Sequence, residues 1–232
     1  MVLNPNTTAS MTDAVVVAAR AVASPGTEIV GGTPARGVAS IESHVDEAWG
    51  ALGVLERVLA GEREGVDAYV IACFGDTGVP AAREVASGPV VGMTEAALMA
   101  AALIAHRFAI VTMPRRTIEQ SERVVRALGL GHRCAVRAVD VPVSDLEDGS
   151  GHLRDRFAAE SRRAIDEDGA EAIILGCAGL TDLLVPLREA LGVPVIDGVP
   201  AAVTMAEGLL AQGLTTSRAS TFAAPERLGP VP

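Results

Sequence analysis

The chain has 232 residues, enough for one large or two small domains with a sizeable core. Hydrophobic residues make up 49%, which excludes a disordered chain, and aromatics only 3%, so the core must be built from Ala, Val, Leu and Ile. A formal net charge of −10 argues against a nucleic-acid partner, because phosphates repel an acidic surface.

The elements follow in chain order. VLNPNT from Val2 reads as a short strand, a turn and a helix start; Asn4 and Asn6 are turn formers at that strand's carboxyl end. Nothing in MVLNPNTTAS has the basic-then-apolar pattern of a signal peptide, and no apolar run reaches membrane-spanning length. A cytoplasmic protein with no membrane partner is therefore expected. A helix from Thr12 to Ala23 leads to a strand at EIVGG, near Ile29. Gly31 and Gly32 do not complete a GxGxxG fingerprint, so no nicotinamide or flavin cofactor is expected. A helix from Val45 to Ala60 precedes the apolar run YVIA, which ends at Cys73 and enters a glycine-containing loop. The strand PVVG and a helix from Thr94 to Ala105 come next. FAIVT and a helix from Thr117 to Leu128 follow, then GHRCAVRA, with Cys134 at the edge of a strand. The acidic, turn-rich stretch from Val139 to Gly151 reads as a surface loop. A helix from Leu153 to Glu167, the strand AIILG ending at Cys177, the strand PVID and a helix from Ala201 to Ala211 complete the series. Continuous apolar strands alternating with helices predict parallel sheet covered on both faces, where ligands collect at the strands' carboxyl ends.

The series also repeats. DAYVIACFGDTGVPAARE and AEAIILGCAGLTDLLVPLRE share an apolar strand, a cysteine, a glycine-containing loop and a helix ending in Arg-Glu. Each is followed by a strand opening on proline, and VLNPNT and VTMPRRT match as lobe starts. The fold class is therefore α/β: two similar lobes with parallel sheets, related by a pseudo-two-fold, with the active site in the cleft between them. The first lobe is expected over 1–103 and the second over 104–197, with part of the tail, 198–232, crossing back to complete the first. A single eight-fold barrel is the rival fold, which the two-fold repeat disfavours.

A lone cysteine at a strand end is most often a small core residue. Two at equivalent strand ends are different: Cys73 and Cys177 are expected to face each other across the cleft. Loop N–H groups and helix starts beside them would stabilise a thiolate and tune it toward neutrality. One thiolate can remove a proton beside a carbonyl while the opposite thiol returns one to the other face, without metal or cofactor. The loop residues Phe74, Gly75, Asp76, Ala178 and Gly179 are candidates for holding the enolate oxygen and the substrate, and Asn4 for a substrate contact. Asp76 has a second reading of equal weight, as a helix cap. Cys134 has no counterpart and is read as structural. His44, His106, His132 and His152 show no metal-ligand spacing, so no metal is expected. Three cysteines, an odd number, fit a reducing compartment without a disulfide framework.

NPNT, SIESHVDEA at Ser40, VIACFGDTG at Val70, LGCAGL at Leu175 and PVIDGVPAA at Pro194 together resemble the hydantoin racemases, of the cofactor-independent aspartate/glutamate/hydantoin racemase superfamily. The resemblance runs nearly end to end. It implies two α/β lobes around a shared site, Cys73 and Cys177 as the acid–base pair, a 5-monosubstituted hydantoin as substrate, and a homo-oligomer. Allantoin racemases are close relatives by the same motifs. Glutamate racemases carry a histidine shortly after the second cysteine; CAGLTDL has none, in keeping with a neutral ring substrate. Arylmalonate decarboxylases keep only the second cysteine, so the pair favours racemisation. The first strand is shorter than in relatives, with only Met1 to Leu3 before Asn4. The contrasting reading is a non-catalytic small-ligand binding module, which the paired cysteines disfavour.

Overall fold

The computed structural model describes residues 1–141, 143 and 151–227. Most of the acidic loop expected between Val139 and Gly151 lies outside the described residues. The apolar runs form eight short strands in two separate parallel sheets. The first holds β1 (Val2–Leu3), β2 (Gly31–Gly32), β3 (Tyr69–Ile71) and β4 (Val90–Gly92), in the order β2-β1-β3-β4. The second holds β5 (Phe108–Thr112), β6 (Cys134–Ala138), β7 (Ala172–Gly176) and β8 (Val195–Ile196), in the order β6-β5-β7-β8. The two orders are the same, element for element, and two open sheets replace the rival barrel.

The helices repeat as well. α1 (Ala9–Arg20), α2 (His44–Glu64), α3 (Val79–Val85) and α4 (Met93–Ile104) belong to the first half. Their counterparts are α5 (Ile118–Ala127), α6 (Gly151–Asp168), α7 (Leu184–Leu191) and α8 (Gly198–Ala211). One detail shows how closely the halves agree. Arg83 near the end of α3 donates from Nε and Nη2 to the Val90 carbonyl, at 3.2 and 3.0 Å. Arg188 in α7 donates in the same way to Val195, at 3.0 and 2.9 Å. Each arginine clamps the following strand to the helix before it.

Sequence chemistry explains the element ends. Ser43 caps α2 by accepting from the Asp46 N–H, and Gly65 ends it in the left-handed conformation, φ 79°. The central strands are fully buried, which fits their unbroken aliphatic runs.

The last helix of each half crosses over. Ala97, Leu98 and Ala101 of α4 are buried with Phe108, Ile110 and Ile174 of the second sheet. Val199, Ala202, Val203 and Ala206 of α8 are buried with Val2, Val70 and Val91 of the first. α4 and α8 also pack on each other. The tail beyond α8 lies against the first half, where Arg218 donates to the carbonyls of Arg83, Glu84 and Ala86.

Candidate active site

β3 and β7 are central strands of their sheets, and both end at the face where the halves meet. Cys73 lies two residues beyond β3 and Cys177 directly after β7. Both sulfurs line one cleft of about 550 Å³ of atom-free space, its mouth included. Its walls come from both halves: Asn4, Asn6, Met11 and Ile41 from the first, Thr112, Met113, Gln120 and Val143 from the second. Two cross-links hold the halves together beside it. Glu47 of α2 pairs with Arg123 of α5, and the Val143 N–H donates to Glu42 at 3.2 Å.

The backbone fixes each sulfur. Thr112 Oγ1 donates to the Gly176 carbonyl at 2.9 Å, tying β5 to the end of β7. A Cβ on Gly176 would lie 2.6 Å from the Thr112 Cβ, so only glycine allows this approach immediately before Cys177. Cys73 Sγ lies 3.4 Å from Thr77 Oγ1. Thr181 stands at the equivalent place, four residues after Cys177, but its hydroxyl donates at 2.7 Å to Asp197.

All three cysteines are free thiols. Burial pushes Cys73 up to about 12, against a lowering by Thr77 and a further rise from Cys177. Burial likewise pushes Cys177 up to about 11, opposed by a hydrogen bond from the Gly179 N–H and reinforced by Asp197 and Glu42. Burial thus opposes the thiolate-stabilising effect expected of the loop donors, and favours the protonated form of both thiols in the free site. The surroundings of the two thiols also differ. Cys177 caps a 3-10 turn, Ala178–Leu183, whereas α3 begins only six residues after Cys73.

The other expected site residues separate into three groups. Phe74, Ala178 and Gly179 line the cleft. Asn4 also lines it, but its amide is committed to the turn: Nδ2 donates to Asn6, Thr8 and Thr12, and Oδ1 accepts from the Asn6 N–H. Asn6 Oδ1 accepts from Asn4 Nδ2 and the Thr8 N–H, while its Nδ2 meets only the Met11 sulfur, at 3.3 Å, among the described residues.

Gly75 and Asp76 do not line the cleft and are engaged with the start of α4, the helix-cap reading for Asp76. The Gly75 N–H donates to Thr94 Oγ1 at 2.8 Å. Asp76, at φ 55°, accepts from the Thr94 and Glu95 N–H groups at 2.8 and 2.9 Å and so caps α4. Gly92 makes room for it, since a Cβ there would lie 2.3 Å from the Asp76 carboxyl carbon. In the second half Asp197 caps α8 from its own N-cap position, accepting from Val199. The two halves thus supply the same capping carboxylate from different places in the chain. Burial and Glu95 push Asp76 up to about 7, against the lowering by its three hydrogen-bond donors from Thr94 and Glu95.

Cys134 starts β6 and packs among apolar residues of the second half, with burial pushing it up to about 12. Sequence reasoning missed Met11, Ile41, Met113, Thr117, Gln120 and Val143 as cleft residues. Met11 and Gln120 carried one faint signal: each is the third residue of the helix after a lobe-start turn.

The sequence of residues 1–206 matches the family model described as Asp/Glu/hydantoin racemase. The chain belongs to this family. A hydantoin racemase of Rhizobium meliloti is 46% identical over 96% of this chain and 93% of its own length. A second, from Pseudomonas sp. (strain NS671), is 44% identical over 97% of this chain and 91% of its own. The solved allantoin racemase from Klebsiella pneumoniae superposes with a TM-score of 0.95 at 50% identity, covering 98% of this chain and 93% of that one. As a member of the Asp/Glu/hydantoin racemase family the protein is an isomerase, a racemase acting on a small molecule. Two thiols reaching one cleft from two halves suit that chemistry, which needs an acid and a base on opposite faces of one carbon.

Proposed function

We propose that the protein racemises 5-monosubstituted hydantoins by moving one proton at ring carbon 5, with Cys73 and Cys177 as the two bases. The observation that carries this is the pair of cysteines at equivalent strand ends, lining one cleft. One cysteine, as thiolate, takes the C5 proton, and the electron pair moves onto the neighbouring carbonyl as an enolate. The opposite thiol then delivers its proton to the other face of C5, and the carbonyl re-forms. The two cysteines end with exchanged protonation states and the stereocentre is inverted. No electron leaves the system and no co-reactant is consumed. Among the loop amides, those of Gly75 and Asp76 are engaged elsewhere, by Thr94 and by the Cys73 carbonyl. The N–H groups of Phe74 and Ala178 are the better candidates for the enolate oxygen.

A second reading is allantoin racemisation by the same step, favoured by the 50% identity to the Klebsiella pneumoniae protein. The apolar walls contributed by Met11, Val15, Ile41, Met113 and Val143 favour an apolar ring substituent over a ureido group. Optical rotation of enantiopure 5-benzylhydantoin and of allantoin, followed side by side without added cofactor, tests the choice. Faster loss with allantoin replaces the first reading by the second; no loss with either sinks both. The expected cytoplasmic location and homo-oligomeric state belong to this proposal. Sedimentation at micromolar concentration should give a multiple of 23.7 kDa, and a single-chain mass would refute the oligomer.

A further inference from the structure

Gln120 is buried, with only 3% of its surface exposed, and it lines the cleft. Its side-chain amide makes no hydrogen bond among the described residues. The residue is buried as a whole, yet its amide atoms are not sealed among protein atoms, so the unpaired amide is open to the cleft. The unpaired group lines the same cleft as the two cysteines. The Gln120 Cβ packs beside the Cys73 loop, 3.2 Å from where a Gly75 Cβ would sit.

The repeat gives this residue a control. Gln120 is the third residue of α5, and Met11 is the third residue of α1. Both line the same cleft. Met11 packs with the apolar cluster that includes Cys177. Equivalent positions in the two halves thus present an apolar side chain and an unpaired amide to the same cleft. Two sites built alike would bind a substrate in either sense; this difference sets one orientation.

Resting on the function proposed above, we infer that Gln120 selects the substrate ring by pairing with its amide edge. A ring amide is held cis, so its N–H and C=O point the same way. A glutamine amide offers one donor and one acceptor at matching spacing, and the pair closes with two hydrogen bonds. A free amino acid has no such edge, so Gln120 discriminates against it by staying unpaired.

The test compares the parent with Gln120→Met, which copies Met11, and Gln120→Asn, which keeps an amide too short to reach. C5 proton exchange in deuterated water is followed by NMR on 5-benzylhydantoin, on unsubstituted hydantoin and on allantoin. Both variants are expected to raise KM about 10- to 100-fold for all three substrates, with kcat within about threefold of the parent. The melting temperature should not fall, because the side chain has no protein partner to lose. An unchanged KM, or a KM raised for allantoin alone, overturns the inference; the latter would mean that Gln120 reads a ureido substituent. A loss of kcat that tracks a fall in melting temperature in both variants also overturns it, as a packing effect. A parent that exchanges none of the three substrates sinks the function reading itself, whereas an active parent with unaffected variants sinks only this inference.

Discussion

Cys73 and Cys177 both start as thiols, since burial holds them at about 12 and 11. The two-base reaction requires one thiolate, so the active fraction of free enzyme rises with pH below the lower of these values. We expect kcat/KM to climb about tenfold per pH unit between pH 7 and 10; a flat profile over that range would refute the raised thiols. Each cysteine should also serve one stereochemical direction. Cys73→Ser and Cys177→Ser are each expected to lower racemisation by at least about 10²- to 10⁴-fold, because a hydroxyl is a far weaker base. Each variant should still exchange the C5 proton of one enantiomer with retention, through the remaining thiol, and the two should prefer opposite enantiomers. NMR on each pure enantiomer in deuterated water reads this directly. If both variants exchange the same enantiomer equally, the assignment of one cysteine to each face is wrong. Gly176→Ala tests how the second sulfur is placed. With a Cβ 2.6 Å from that of Thr112, β7 must shift, and activity should fall even where the fold persists.

At the scale of single elements, α4 depends on a carboxylate that the sequence places in a different loop. Asp76 satisfies two of the N–H groups at the start of α4, a bond set that the helix cannot supply from Gly92. Asp76→Ala is expected to cost about 1–2 kcal/mol, the range of a lost helix cap, read as a lowered urea midpoint with unchanged slope. The pH dependence has a definite sign. Asp76 has a folded value near 7 against an ordinary 3.8, so the folded state favours its proton. Its contribution is fully present below about pH 4 and is lost as pH rises through 7. The difference in stability between parent and Asp76→Asn should therefore shift in favour of the variant between pH 4 and 8. A difference that is constant with pH would show that Asp76 is not raised. Asp197 makes the equivalent cap in the second half and is also raised, by burial.

For the molecule as a whole, the crossed helices decide how it folds. The first sheet buries one apolar face under α8 and the second under α4. Each half covers one face of its sheet with its own helices, but leaves the other face dependent on the last helix of the opposite half, so neither should be stable alone. We expect a single cooperative transition in urea. Trp49, the only tryptophan, lies in α2 of the first half, so its fluorescence reports that half, while far-ultraviolet circular dichroism reports both. The two midpoints should coincide. Separate midpoints would mean that the halves unfold independently. The same crossing holds the two strand ends, and so the two sulfurs, against one cleft.

The sequence by itself determined the strand-and-helix series, the internal repeat and the paired cysteines. These depend on local patterning: aliphatic runs long enough for a buried strand, loop residues after each, and fixed offsets within a half. It also carried enough likeness to place the chain in its family. The role of Asp76 was left open because a carboxylate's partner 18 residues away is set by how a loop folds back, and the equivalent cap in the second half comes from another position. The cleft walls were invisible for a similar reason. Met11 and Gln120 read as ordinary helix residues until the halves are docked, and only docking decides that one meets apolar side chains and the other meets open space. The exchange of α4 and α8 between sheets, and the desolvation that keeps both thiols protonated, belong to the tertiary structure alone. Each depends on which surfaces exclude water, and that is a property of the packed molecule and not of any segment of its chain.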